Sequence, residues 1–188
     1  ILFNLLFSVQ TALDVTYLWG NAKLPDDITY ASYAHRGAYP LILTALLAAG
    51  FVLAAMRPGG PAENSTIIRP LVYLWVAQNV LLVASAILRL DLYVQIYLLT
   101  WWRVAAFVWM LVVMAGLLLI VARIALNRSN GWLIGANLIT LTATLYVCSL
   151  VNFAAIIADY NVSHSREATG KGVAIDLYYL LNLGPQAL

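Results

Sequence analysis

Long apolar runs separated by short polar connections set the pattern of this chain, and single arginines mark several of the joins. Arg36 and Arg57 bracket one run, Arg69 and Arg89 a second, and Arg103 and Arg123 a third, each pair 20 or 21 positions apart. At about 1.5 Å of rise per residue such a gap measures roughly 30 Å along a helix, the thickness of a bilayer's hydrocarbon core. A guanidinium at each end can then reach a headgroup layer while its stem stays in lipid. The spacing predicts spanning helices near 37–56, 70–88 and 104–122. An apolar run near 1–20, ending in the interface-favouring Tyr17 and Trp19, predicts a first span. A fifth is predicted near 132–158, closed by Asp159, Tyr160 and Asn161.

The connections refine this picture. Arg57, Pro58, Gly59, Gly60 and Pro61 form a breaker cluster that demands a solvent loop, and Pro70 suits the start of a helix. The stretch 91–102 is apolar and aromatic but too short to cross. It reads as an interfacial helix or an extension of the fourth span, with Tyr93, Tyr97, Trp101 and Trp102 near headgroup level. The fifth span carries Asn137, Thr140, Thr142, Thr144, Tyr146, Ser149 and Asn152, polar groups that usually face other helices; it is therefore expected inside the bundle. After it, the tail at 162–188 starts polar and then gives a short amphipathic helix around 175–181, stopped by Gly184 and Pro185. The predicted fold is all-α: a polytopic transmembrane bundle over 1–161 with about five spans and an interfacial helix, then an extramembrane tail with its own short helix.

Composition supports the bilayer as solvent. Of 188 residues, 63% are hydrophobic and only 10% charged, against about 25% charged in soluble domains. The net charge of +2 and the lack of a Lys/Arg run exclude nucleic acid as a partner. The single cysteine, Cys148, excludes an intrachain disulfide and sits in an apolar stretch where a thiol stays protonated. The chain opens at Ile1 already inside an apolar run, without a signal-peptide pattern, which reads as a fragment or as a chain whose start lies upstream.

Five spans would put 21–36, 89–103 and the segment beyond 159 on one side of the membrane, and 57–69 and 123–131 on the other. The second side holds Arg57, Arg69, Arg123 and Arg128 in two very short loops. That density of positive charge makes loops 57–69 and 123–131 the expected cytoplasmic ones.

Chemistry-bearing residues collect on the opposite side. Asp14 lies within two turns of the outer end of the first span, and an ionisable residue at that depth is a functional candidate; pairing with Arg36, Arg89 or Arg103 is the structural alternative. Tyr33, His35 and Arg36 belong to a Tyr-rich run that could stack on and hydrogen-bond a ligand, or anchor a helix in the headgroup layer. With Arg89, Asp91, Arg103 and Asp159 these residues would form one polar cluster. Asp14, Tyr33, His35, Arg36, Arg89, Arg103 and Asp159 are thus the candidates for a ligand or lipid site, or for a clamp on helix ends. Gln78 and Asn79 in the third span, with Asn137 and Asn152 in the fifth, predict hydrogen-bonded bridges between helices.

Other chemistries find little footing. Both histidines, His35 and His164, fall outside the spans, so neither axial haem ligands nor a cluster of zinc ligands is expected. No cofactor is expected. Ser163 and Ser165 flank His164, but adjacency in sequence does not make a triad. With both lysines outside the spans and no central acid, a proton relay or a Schiff base has no seat.

Three stretches carry a resemblance: 30–41 (Tyr-Ala-Ser-Tyr-Ala-His-Arg-Gly-Ala-Tyr-Pro-Leu), 92–109 with Tyr97, Leu98, Leu99, Thr100 and Arg103, and 159–184 with Tyr160, Asn161, Val162, Asp176, Tyr179, Leu180, Leu183 and Gly184. Together they make the chain similar to a family of bacterial multi-pass membrane proteins catalogued as a domain of unknown function, number four-one-seven-three. The resemblance implies a bacterial inner membrane and longer members with further spans upstream. It supplies no activity, cofactor or catalytic residue. The expected role is a non-catalytic accessory or scaffold subunit or signalling partner, touching membrane lipids and other membrane subunits. The alternatives are a transporter or lipid-binding protein using the polar cluster and, third, an intramembrane enzyme.

Overall fold

The computed structural model describes residues 2–16, 43, 47, 50, 54 and 65–187. The described residues are helical or irregular, with no strand among them. Numbered along them, the α-helices are α1 (Leu2–Asp14), α2 (Ile68–Tyr97), α3 (Trp101–Ala125), α4 (Asn130–Leu150), α5 (Phe153–His164), α6 (Arg166–Thr169) and α7 (Leu177–Asn182), followed by a 3-10 turn at Pro185–Ala187. Among the described residues three helices, α2, α3 and α4, are long and apolar enough to cross a membrane. Of the span expected at 37–56, only positions 43, 47, 50 and 54 are described, and these are helical and exposed; the rest of it lies outside the described residues.

Among the described helices α2 packs against both α1 and α3, and α4 packs against α3. Val72, Trp75, Val76 and Val83 of α2 meet Leu117, Ile120 and Ile124 of α3 and Leu133 of α4 in the main core. The contacts give the directions. Asn4 meets Leu71, Ser8 meets Gln78 and Asp14 meets Arg89, so α1 and α2 run the same way. Arg69 at the start of α2 reaches the Ile124 carbonyl at the end of α3 (3.4 Å), so those two are antiparallel, and α4 reverses again.

Two of the arginines act differently from expectation, and Arg36 and Arg57 lie outside the described residues. Arg89 does not end the third expected span: α2 continues through it to Tyr97, 30 residues in all, about 45 Å. The stretch 91–97 is therefore an extension of this helix, not of the following span. Pairing with Asp14 neutralises Arg89, so the helix need not stop where the charge sits. Arg123 is likewise buried and donates to Asn130 Oδ1 at 2.6 Å.

The fifth predicted span also divides. α4 stops at Leu150, and Asn152 caps α5, accepting from the Ala155 N–H at 3.1 Å. A side chain that caps one helix cannot lie mid-helix in another. α4 is moreover the most exposed of the three long helices, contrary to its expected interior place. Its polar groups bond to their own helix: Asn137 to the Leu133 carbonyl, Thr140 to Ala136, Thr144 to Thr140 and Ser149 to Tyr146, all within 2.9 Å. Donors satisfied by local carbonyls need no partner helix.

The tail folds back. Between α2 and α3 the chain turns at Leu98, Leu99 and Thr100, and against this elbow pack Ile157 and Tyr160 of α5 and Tyr179 and Leu183 of the tail. The tail is thus not a separate appendage but a cover on the α2–α3 elbow.

A buried ion pair and a clamped elbow

A polar seam runs between α1 and α2. Asn4 donates to the Leu71 carbonyl at 3.2 Å, and the Gln78 amide donates back to the Asn4 carbonyl at 3.0 Å and to Ser8 Oγ at 2.9 Å. The interhelical bridge expected of Gln78 therefore goes to the first helix and not to the fifth span. Asn79 turns inward on its own helix, donating to the Trp75 carbonyl at 2.8 Å.

The seam ends on the ion pair of Asp14 and Arg89, whose residues are only 2% and 7% exposed. Asp14 Oδ1 accepts from Arg89 Nη2 and from Gln10 Nε2 (3.1 Å). The attraction between two opposite charges removed from water offsets the cost of taking each out of water. Asp14 Oδ2 is buried with no hydrogen-bond partner among the described residues. Beside it lies a cavity of about 140 Å³ lined by Thr11, Asp14, Val15, Leu81, Leu82 and Ser85.

The elbow is the second concentration of polar contacts. Leu98 has φ 62° and ψ 179°, a backbone region that is essentially restricted to glycine and costs of order 1–3 kcal/mol for another residue. Three side chains hold it. Arg103 Nη1 donates to the Tyr97 carbonyl at 2.6 Å and to the Leu98 carbonyl, satisfying acceptors that a helix end leaves orphaned. Its guanidinium lies 4.5 Å from the Tyr93 ring centroid, in cation–π range. Buried Asn161 accepts from the Leu99 N–H at 2.7 Å and donates to the Leu99 carbonyl at 2.9 Å. Finally, Tyr179 Oη accepts from the Trp101 N–H at 2.9 Å.

Nearby, Tyr160 stacks on His164 with centroids 4.1 Å apart. Burial, and then the charge of Asp91, push the Tyr160 phenol above its ordinary pKa. Ser163 Oγ sits 2.9 Å from His164 Nδ1, but both also bond to the Tyr160 carbonyl, so they close the end of α5.

The seven candidate residues thus separate. Asp14 and Arg89 come together, as one of the structural alternatives anticipated. Arg103 serves the elbow, while Asp159 is exposed on α5 and Asp91 is exposed and bonded to Gln95 (2.7 Å). Tyr33, His35 and Arg36 lie outside the described residues. No group of three or more His, Cys, Asp or Glu side chains that could hold a metal occurs among the described residues. Sequence reasoning missed Asn161, Tyr179 and Leu98. One signal existed: Asn161 falls one turn after Ile157, on the face that α5 buries.

Three described helices long and apolar enough to cross a bilayer fit a membrane protein. The chain belongs to the family described as Domain of unknown function (DUF4153), which it matches over residues 1–188. That is a domain-of-unknown-function family, as the resemblance implied, but its number is 4153 and not four-one-seven-three. No curated protein and no solved structure matches the chain.

Proposed function

We propose that this chain is a non-catalytic module of a bacterial inner-membrane assembly, acting as an accessory, scaffold or signalling subunit. In this reading it crosses the membrane five times, with loops 57–69 and 123–131 in the cytoplasm. The parallel course of α1 and α2 supports the count, because two parallel spans need an odd number of crossings between them. The observation that carries the role is the use made of Asp14 and Arg89: the two charges with the best claim to chemistry are bonded to each other, across a helix seam, as a tie. Arg103, Arg123 and Asn161 are spent in the same way on neighbouring backbone and side chains.

A second reading, a lipid or solute site, draws on Asp14 Oδ2, which has no hydrogen-bond partner among the described residues, and on its adjoining cavity. The two readings diverge in experiment. Purification from native membranes in mild detergent should recover the protein with a stoichiometric partner, and Asp14→Leu with Arg89→Met should still recover that partner. A chain that elutes alone, carries bound lipid or solute beside Asp14, and loses it on that double substitution would reverse the order of the two readings.

A further inference from the structure

Among the described residues, the outer face of the tail helix α7 is apolar and uncovered. Leu177, Tyr178 and Leu181 occupy one arc of it, with Tyr178 79% and Leu181 80% exposed, while Tyr179 and Leu183 on the opposite side pack into the elbow core. A helix that buries one apolar face and leaves another open has not finished its burial in water.

The structure fixes the level at which this open face lies. Tyr179 Oη accepts from the backbone N–H of Trp101, the first residue of α3, a helix long and apolar enough to cross a membrane. Trp102, next in sequence, is 86% exposed. Tryptophan at the first turn of a spanning helix belongs to the headgroup–acyl boundary, where an amphipathic ring is best solvated. The hydrogen bond to Trp101 therefore holds α7 at that same boundary. α7 itself carries no charged side chain, and Asp176, which accepts from the Tyr179 N–H at 2.9 Å, stays at its cap. Charged residues of the tail, Arg166, Glu167 and Lys171, precede it in the α6 region.

We infer that α7 is a membrane-interface anchor: the Leu177, Tyr178 and Leu181 face is seated in the headgroup–acyl layer of the bilayer beside Trp102. The tail then does two things at once, closing the α2–α3 elbow with its inner face and gripping lipid with its outer one. Amphipathic helices with a polar or protein-covered side and an apolar side lie in this layer. The inference rests on α2, α3 and α4 being spanning helices.

The single cysteine provides the test. In a Cys148→Ser background, Tyr178→Cys and Leu181→Cys carry nitroxide labels in the full chain, reconstituted in vesicles of phosphatidylethanolamine and phosphatidylglycerol. Leu177→Cys serves as a third position if either variant loses its monodisperse elution. Collision with oxygen, which partitions into lipid, is compared with collision with a water-soluble nickel chelate. Ile139→Cys on α4, 71% exposed, is the lipid reference and Lys171→Cys the aqueous one. The expected result is an oxygen-to-nickel ratio at α7 several-fold above Lys171 and below Ile139. A ratio equal to that of Lys171 overturns the anchor, and so does shielding from both reagents, which would mean that protein covers the face. An aqueous ratio at Ile139 itself would instead refute the spanning helices; a lipid ratio there with an aqueous one at α7 refutes the anchor alone.

Discussion

Asn161 grips both backbone groups of Leu99, taking its N–H at 2.7 Å and giving a hydrogen bond to its carbonyl at 2.9 Å. One amide side chain thereby replaces the helical partners that Leu99 loses where α2 ends. Because the site is buried, removing that side chain strands two polar groups. Each buried group left unpaired costs about 1–3 kcal/mol. Asn161→Ala should therefore lower the thermal midpoint of the purified protein in detergent clearly. Asn161→Leu should do no better, since packing alone cannot satisfy Leu99. An unchanged midpoint in both would show that the clamp is not needed.

Leu98 offers a test of backbone strain that is independent of packing. Both Leu98→Ala and Leu98→Gly remove the same buried side chain, but only glycine is at ease at φ 62°. In an ordinary helix interior glycine is the worse residue by roughly 0.5–1 kcal/mol. Here the order should invert, with the glycine variant unfolding at the higher temperature. The ordinary order would mean that the elbow relaxes at no cost.

The ion pair of Asp14 and Arg89 should behave as a unit. Asp14→Ala or Arg89→Ala alone leaves one buried charge uncompensated, at a cost of about 3–5 kcal/mol. Asp14→Leu combined with Arg89→Met removes both charges and should recover most of that loss. Thermal unfolding of the single and double variants measures the coupling. Additive losses would mean that the two residues act separately.

Two glycines should respond in opposite ways. A Cβ at Gly116 would meet Asn137 Oδ1 at 3.1 Å, whereas one at Gly135 would meet nothing within 4 Å. Gly116→Ala should destabilise the α3–α4 seam, and Asn137→Ala should relieve it. Gly135→Ala should be neutral or stabilising by up to about 1 kcal/mol, the usual helical preference of alanine over glycine. Equal effects at the two sites would contradict the packing of α3 on α4.

The tail carries an acid-sensitive contact outside the spanning helices. Glu167 accepts from the Ile175 N–H at 3.0 Å, and hydrogen bonds from its own backbone and from Ile175 hold its carboxyl below the ordinary value of 4.5. A lowered folded-state pKa means that the stabilisation is present above the unfolded value and is lost as pH falls through the folded one. The Ile175 amide resonance should therefore shift with a midpoint below 4.5, and Glu167→Gln should abolish the step. A midpoint at or above 4.5 would contradict the bond.

Much of the architecture was legible because lipid imposes a length. Apolar runs of about 20 residues bracketed by arginine locate α2 and α3 without any knowledge of their neighbours. The apolar run from 132 locates α4 but not its end at Leu150, and breaker residues such as Gly184 and Pro185 mark where the last helix of the tail stops. What periodicity cannot tell is where a charge goes once helices meet. Arg89 looked like the end of a helix and lies inside one, because Asp14, 75 positions earlier, neutralises it. Asn152 and Asn161 both read as polar residues in or at the edge of a span; one caps a new helix and the other clamps Leu99. The polar groups of α4 suggested burial, yet local carbonyls satisfy them in the least buried of the three long helices.

By itself the sequence determined that this protein is helical and that it carries apolar segments long enough to cross a bilayer. Only the tertiary structure decided which residues meet across the chain: Asp14 with Arg89, Asn161 with Leu99, Tyr179 with Trp101. The reason is that segment length and hydropathy are properties of neighbouring residues, whereas ion pairs and backbone clamps join positions some 60 to 80 residues apart, which come together only after the helices have packed.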